Sequence, residues 1–160
     1  MKKYPPLEIV APVMFAFVFM MTLIYSKYEP HVEDVNIDYV KAHIGRPGYV
    51  LVDVREEDIF DGAPPKEGVP GGHIAGSVNF PLSELKVAAA SAALAKTGIV
   101  KSRTIILYCN RGTTAGRFAD AMIRQFHFSP TSIKNYRGSV IDWVNRGNKL
   151  ISSYQPENDE

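Results

Sequence analysis

The stretch Thr104-Ile105-Ile106-Leu107-Tyr108-Cys109-Asn110-Arg111-Gly112-Thr113-Thr114-Ala115 passes from a continuous apolar run through a short polar loop into a helical pattern. A run of strand length without polar alternation is the pattern of a strand covered on both faces, as parallel strands are in α/β folds. The helix expected after it runs from Ala115 to Phe126, with Phe118, Met122 and Phe126 on one stripe suited to a core. Cys109, the chain's single cysteine, falls where the strand ends. A loop between a strand and a helix start turns successive N–H groups inward and adds the positive end of the helix dipole, so a thiolate there is favoured over a thiol. The competing reading is a cysteine packed as a small hydrophobe, and the polar loop that follows argues against it.

Outward from this segment the same grammar repeats. Tyr49-Val50-Leu51-Val52-Asp53-Val54 is a second covered strand, Ser77-Val78-Asn79-Phe80 a short one ended by Pro81, and Ser132 to Tyr136 another. Asn36 is placed to cap a helix over 37–44 closed by Gly45 and Pro47, and Ser83 to cap an alanine-rich helix over 84–96 stopped at Gly98. A short helix is expected over 140–145. Arg55 to Gly72 reads as loop with one helical turn at 56–60, and its Gly/Pro-rich part, Asp61 to Gly72, is either a cover for the site or a passive insertion. Strands alternating with helices predict an α/β fold, a parallel sheet with helices on both faces. Ligands in such sheets bind beyond the carboxyl ends of the strands. Asp53-Val54-Arg55, Cys109 to Thr114 and Arg137-Gly138-Ser139 all fall there.

Composition narrows the class. Hydrophobic residues make up 46% of the 160-residue chain and charged residues 22%, which is ordinary for a folded domain with an appendage. Lysine and arginine exceed aspartate and glutamate by only 18 to 17, so no global field favours nucleic acid, which is dropped as a partner. His31, His43, His73 and His127 are scattered, no cysteine and histidine cluster has metal-ligand spacing, and neither a metal nor another cofactor is expected.

The first residues differ in kind. Ile9 to Tyr25 carries no charge over 17 residues, just long enough to cross a bilayer core as a helix, and it lacks the short apolar centre and small-residue end of a cleaved signal. Residues 1–27 are therefore expected to be a transmembrane signal anchor, 28–35 a linker, 36–150 the folded domain and 151–160 a polar tail. Lys2 and Lys3 before the run, against Glu29, Glu33 and Asp34 after it, predict a single-pass protein of the cytoplasmic membrane with its folded domain outside the cytoplasm, in the periplasm of a bacterium.

Leu51-Val52-Asp53-Val54-Arg55, Gly72-His73-Ile74-Ala75-Gly76-Ser77-Val78-Asn79-Phe80-Pro81, the cysteine loop, and Tyr136-Arg137-Gly138-Ser139 with Trp143 together resemble a rhodanese domain, over about Asn36 to Leu150. The resemblance implies a three-layer sandwich around a parallel sheet of about five strands. It also implies sulfur transfer through a persulfide on Cys109. The N–H groups of Asn110 through Ala115 would then stabilise the anionic outer sulfur, and Gly112 would permit the tight turn. Thr113 and Thr114 can donate to the same sulfur, or Thr114 can cap the helix; Arg111 either attracts a dianion such as thiosulfate or is a solvated surface residue. Asp53 and Arg55 look like loop-fixing residues in a buried ion pair, His73 like a turn anchor more than a proton carrier, and Gly138 and Ser139 like structural neighbours of the site.

Related phosphatases and arsenate reductases have a loop longer by one residue, closed by an arginine six positions after the cysteine. That position here is Ala115, and Arg117 would point about 200° away from it on a helix. Two-domain relatives that use thiosulfate carry a second arginine beyond the Asp-x-Arg motif, where this chain has Asp58-Ile59-Phe60. Arg137 replaces their aspartate before Gly-Ser, and it is the candidate for restoring the missing charge. The leading expectation is a membrane-anchored sulfurtransferase moving sulfur from a thiosulfate-like anion to cyanide or a thiol. The alternatives are a non-catalytic tethered carrier or docking module, a cysteine-dependent phosphatase or arsenate reductase, and a redox sensor, for which the chain has no second, resolving cysteine.

Overall fold

The computed structural model describes residues 7–27, 31–63, 65 and 68–153. Lys2 and Lys3, residues 28–30 of the expected linker and 154–160 of the expected tail lie outside the described residues. The chain divides into two compact units, Met1–His31 and Val32–Glu160.

The first unit contains a helix, α1 (Leu7–Lys27), of 21 residues with Pro12 inside it. Its apolar side chains are exposed, from Met21 at 39% to Phe15 at 75%. The transmembrane anchor expected at 1–27 is not supported: among the described residues no helix is long and apolar enough to cross a membrane.

The second unit is built on five strands: β1 (Glu33–Val35), β2 (Tyr49–Asp53), β3 (Ser77–Asn79), β4 (Thr104–Tyr108) and β5 (Ile133–Tyr136). They form one sheet in the order β1-β5-β4-β2-β3, with every pairing parallel. The apolar run at 104–108 takes a central position, with Tyr49↔Thr104 through Asp53↔Tyr108 on one side and Ile105↔Ile133 on the other. Because side chains alternate along a strand, Ile105, Leu107 and Cys109 enter one core while Ile106 and Tyr108 enter the other. The first core is closed by Phe118 and Met122 of α5 (Thr113–Phe126); the second by Ile37 and Val40 of α2 (Ile37–His43) and by Val140 and Trp143 of α6 (Ser139–Asn145). These are the helical layers on the two faces, and each large apolar side chain so buried contributes about 1.5–3 kcal/mol. Asn36 caps α2, its side-chain oxygen accepting from Tyr39 N–H at 3.0 Å.

Several elements differ from the sequence expectation. The strand β1 lies in the stretch expected as linker; two of its three residues are exposed, and it is held by pairing with β5, so no apolar pattern announces it. The helix expected over 84–96 is broken into a 3-10 turn at Leu82–Lys86, an extended Val87, and a short helix α4 (Ala90–Lys96). Leu85 and Leu94 are both buried in the same core, yet nine residues apart on an unbroken helix they would face opposite sides, so the break is what lets both pack. Ser83 caps nothing: its hydroxyl donates to the Glu56 carboxylate at 3.0 Å, just ahead of the helical turn α3 (Glu57–Asp61). At the other end, the expected tail begins with Ile151 bridging His73, backbone to backbone, at 2.8 Å in both directions.

Candidate active site around Cys109

All strands being parallel, Asp53, Tyr108 and Tyr136 end at one edge, and the turns beyond them bring the three sequence motifs together. The turn after β4 is bound to the start of α6. Val140 N–H donates to the Cys109 carbonyl at 3.1 Å and Ile141 N–H to the Asn110 carbonyl at 3.3 Å, while Cys109 N–H donates to Ser139 Oγ at 3.1 Å. In a trans peptide the next N–H points opposite the carbonyl, so holding these two carbonyls against α6 turns the amides of Asn110 and Arg111 away from α6. Ser139 is fully buried, has φ of 52°, and donates its own proton to the Tyr136 carbonyl at 2.8 Å, which leaves Oγ at 4.0 Å from Cys109 Sγ as a neighbour rather than its donor.

One amide of the loop reaches the sulfur. Gly112 N–H donates to Cys109 Sγ at 3.1 Å. Gly112 has φ of +85°, and a Cβ there would sit 2.5 Å from the Arg137 carbonyl oxygen, so only glycine fits both the left-handed backbone and the close approach. It is also the N-cap of α5, which starts two residues earlier than the sequence pattern suggested and has no side-chain cap; Thr114 lies inside the helix and caps nothing, and neither threonine hydroxyl bonds the sulfur. The first intrahelical bond runs from Gly116 N–H to the Gly112 carbonyl at 3.1 Å. The N–H groups of Thr113, Thr114 and Ala115 therefore have no helical acceptor, and they add to the positive end of a 14-residue helix.

A cavity of about 210 Å³ is lined by Cys109, Asn110, Arg111, Thr113 and Thr114. Cys109 is only 2% exposed and packs against the first core, so its sulfur sits at the base of this recess rather than on its rim. Arg111 and Thr113 are exposed. Ala115, where a phosphatase-type loop would need an arginine, is fully buried, and Arg117 is exposed farther along α5. Arg137 contributes its backbone, pressed against Gly112; its exposed side chain is not among the groups lining the cavity.

Beneath the loop lies an ionic frame. Asp53 and Arg55 are 0% and 5% exposed, and the guanidinium holds the carboxylate through Nε at 2.9 Å and through its terminal nitrogen at 2.6 Å. The same nitrogen donates to the Gly72 carbonyl at 2.6 Å, and the other reaches Asn110 Oδ1 at 3.4 Å, so one arginine ties three loops. Burial works against its charge, but the hydrogen bonds and charge of Asp53 outweigh that and raise its pKa further. Tyr108, read from the sequence as plain core, is a hub: its hydroxyl accepts from Ile74 N–H at 3.1 Å and shares a 2.9 Å bond with Ser77 Oγ. Burial, then the nearby Asp53 charge, push its pKa well up, so it stays a neutral phenol. A tyrosine inside an apolar strand next to the site was the available signal, since a buried hydroxyl must find partners. His73 stacks on Phe60 with ring centroids 3.8 Å apart, and its Nδ1 lies 2.9 Å from the Phe60 carbonyl, an arrangement that anchors the end of the 61–72 loop. Among the described residues no group of side chains could hold a metal ion.

The rhodanese-like domain family matches residues 36–146. Thiosulfate/3-mercaptopyruvate sulfurtransferase 2 of Arabidopsis thaliana is 30% identical over 136 residues, covering 79% of this chain and 39% of the plant protein. The uncharacterized protein YqhL of Bacillus subtilis (strain 168) is 33% identical over 101 residues, covering 61% of this chain and 65% of its own length. The chain thus spans about two fifths of the plant relative it matches. Among solved structures, the anaerobic ergothioneine biosynthesis enzyme from Chlorobium limicola superposes with a TM-score of 0.65 at 20% identity, over 76% of this chain and 28% of that enzyme, which is a likeness of fold. With its parallel five-stranded sheet, its cysteine turn after the central strand, and a family match spanning most of its length, the chain belongs to the rhodanese-like domain family.

Proposed function

We propose that the chain is a sulfurtransferase that carries sulfane sulfur as a persulfide on Cys109. The Cys109 thiolate attacks the outer sulfur of thiosulfate or a similar donor; the donor's S–S bond breaks and sulfite leaves with the electron pair. Cyanide or a thiol then takes the outer sulfur and the thiolate returns, a double displacement. The observation carrying this reading is the Gly112 N–H on Sγ at 3.1 Å, at the base of a recess lined by the loop. A fixed amide aimed at Sγ stabilises it where it is anionic, as the attacking thiolate and as the leaving group of the second displacement, without a buried counter-ion. Arg111, exposed on the lining, supplies the charge that attracts a dianion. The name of the plant relative supports the reaction class. Mass spectrometry of the intact chain after thiosulfate exposure is expected to show one added sulfur atom that cyanide removes; an unmodified, reactive Cys109 would refute the reading.

A carrier that loads sulfur without turnover is the second reading, favoured by the 2% exposure of Cys109. Measured turnover with thiosulfate and cyanide separates it from the first. Arg137, whose exposed side chain lies outside the lining of the recess, is proposed to attract the donor through its charge: Arg137→Ala should raise the KM for thiosulfate several-fold with little change in kcat, and an unaltered KM removes it from the site. Attachment to a membrane surface through α1 is proposed on the exposed apolar side chains of residues 13–23. On expression in a bacterium the full chain should sediment with membranes. Recovery in the soluble fraction would overturn this.

A further inference from the structure

A second recess adjoins the one at Cys109. This neighbour, of about 360 Å³, shares Asn110 and Thr114 with it and is lined by the aliphatic side chains of Val54, Ile59 and Leu82. Three charged residues also line it: Arg55, whose guanidinium is already held by Asp53, and the opposite charges of Glu56 and Lys86. The Glu56 carboxylate is held across the groove by the Ser83 hydroxyl, at 3.0 and 3.2 Å to its two oxygens, which leaves the remaining lone pairs available. Lys86, at the end of the 3-10 turn, makes no ion pair among the described residues.

An inorganic donor or cyanide would fit within the smaller recess and has no use for a carbon-lined neighbour bearing both signs of charge. A simple anionic thiol would be repelled by Glu56, a simple cationic one by Lys86. A ligand with a short aliphatic frame, one ammonium, one carboxylate and a thiol matches every feature of the lining. We propose that this recess selects the sulfur acceptor and that the acceptor is a small zwitterionic thiol of the amino-acid type, its carboxylate at Lys86, its ammonium at Glu56 and its sulfur reaching Cys109 past Asn110 and Thr114. This rests on the sulfurtransferase reading above. The acceptor thiolate attacks the outer sulfur of the persulfide, the bond from that sulfur to Cys109 Sγ breaks with its electron pair returning to Sγ, and the acceptor leaves as its own persulfide.

The test uses the full chain loaded with persulfide, the load verified by mass, and follows its loss to cysteine, 3-mercaptopropionate (no ammonium) and cysteamine (no carboxylate) at matched thiolate concentration. Cysteine should be the fastest. Lys86→Gln should slow cysteine and 3-mercaptopropionate about three- to five-fold, the scale of one exposed charge pair, and leave cysteamine unchanged or faster. Glu56→Gln should slow cysteine and cysteamine by a similar factor and leave 3-mercaptopropionate unchanged or faster. Equal effects on all three thiols, or no preference for cysteine in the parent, would overturn the assignment while leaving the sulfurtransferase reading intact. Failure of the parent chain to load persulfide at all would instead overturn the sulfurtransferase reading, and this inference with it.

Discussion

Gly112→Ala is expected to lower kcat/KM for sulfur transfer by about a hundred- to a thousandfold, the cost of losing one preorganised donor to a reacting anion. The substitution is chemically slight, and its effect comes from geometry. At φ of +85° an alanine carries a left-handed penalty of about 1–2 kcal/mol, and its Cβ would meet the Arg137 carbonyl oxygen at 2.5 Å. Neither side can give easily. The Arg137 end is tied through the Ser139 hydroxyl, which bonds both the Tyr136 carbonyl and Cys109 N–H, and the loop end is tied to α6 by the Cys109 and Asn110 carbonyls. The turn must therefore rotate, and the Gly112 N–H leaves the sulfur. Turnover of parent and variant, read beside their thermal unfolding, checks this. Activity within a few-fold of the parent would show that the amide is not what makes this sulfur reactive.

Asp53→Asn is expected to destabilise the 32–160 unit by about 3–5 kcal/mol, the usual consequence of leaving one member of a buried ion pair uncompensated. Asparagine keeps the shape of the side chain and removes only the charge, so the loss reports on Arg55, which stays ionised in a site that is 5% exposed. The guanidinium also holds the Gly72 carbonyl and Asn110 Oδ1, so the loosening should reach both the 61–72 loop and the cysteine turn. Urea unfolding measures the effect. Replacing both partners, Asp53→Asn with Arg55→Met, should recover part of the loss because no buried charge then remains. A single variant within about 0.5 kcal/mol of the parent, the scale of an ordinary surface substitution, would mean that water reaches the pair.

Much of this architecture was legible because parallel strands covered on both faces leave continuous apolar runs, and 49–54 and 104–108 are such runs. The cysteine turn was legible from its place after one of them. What could not be read were features whose cause lies elsewhere in the chain. The strand β1 exists because β5 offers it an edge, and its own residues are mostly exposed and charged. The helix expected over 84–96 breaks because Leu85 and Leu94 must reach one core, a requirement that local propensity, high throughout the alanine-rich stretch, does not contain. Ser83 looked like a cap until Glu56, 27 residues away, proved to be its acceptor.

For the site, the sequence by itself determined the place of the single cysteine at a strand end, the alanine at 115 where an arginine clamp would stand, and the glycine at 112 that the turn requires, since each follows from residues adjacent in the chain. Only the tertiary structure decided which donor reaches the sulfur, that Ser139 and the first amides of α6 orient the turn, and that Glu56 and Lys86 share a recess beside it. Hydrogen-bond direction and charge placement depend on distances of a few tenths of an ångström between segments far apart in the chain, and those distances exist only once both cores have closed on the sheet.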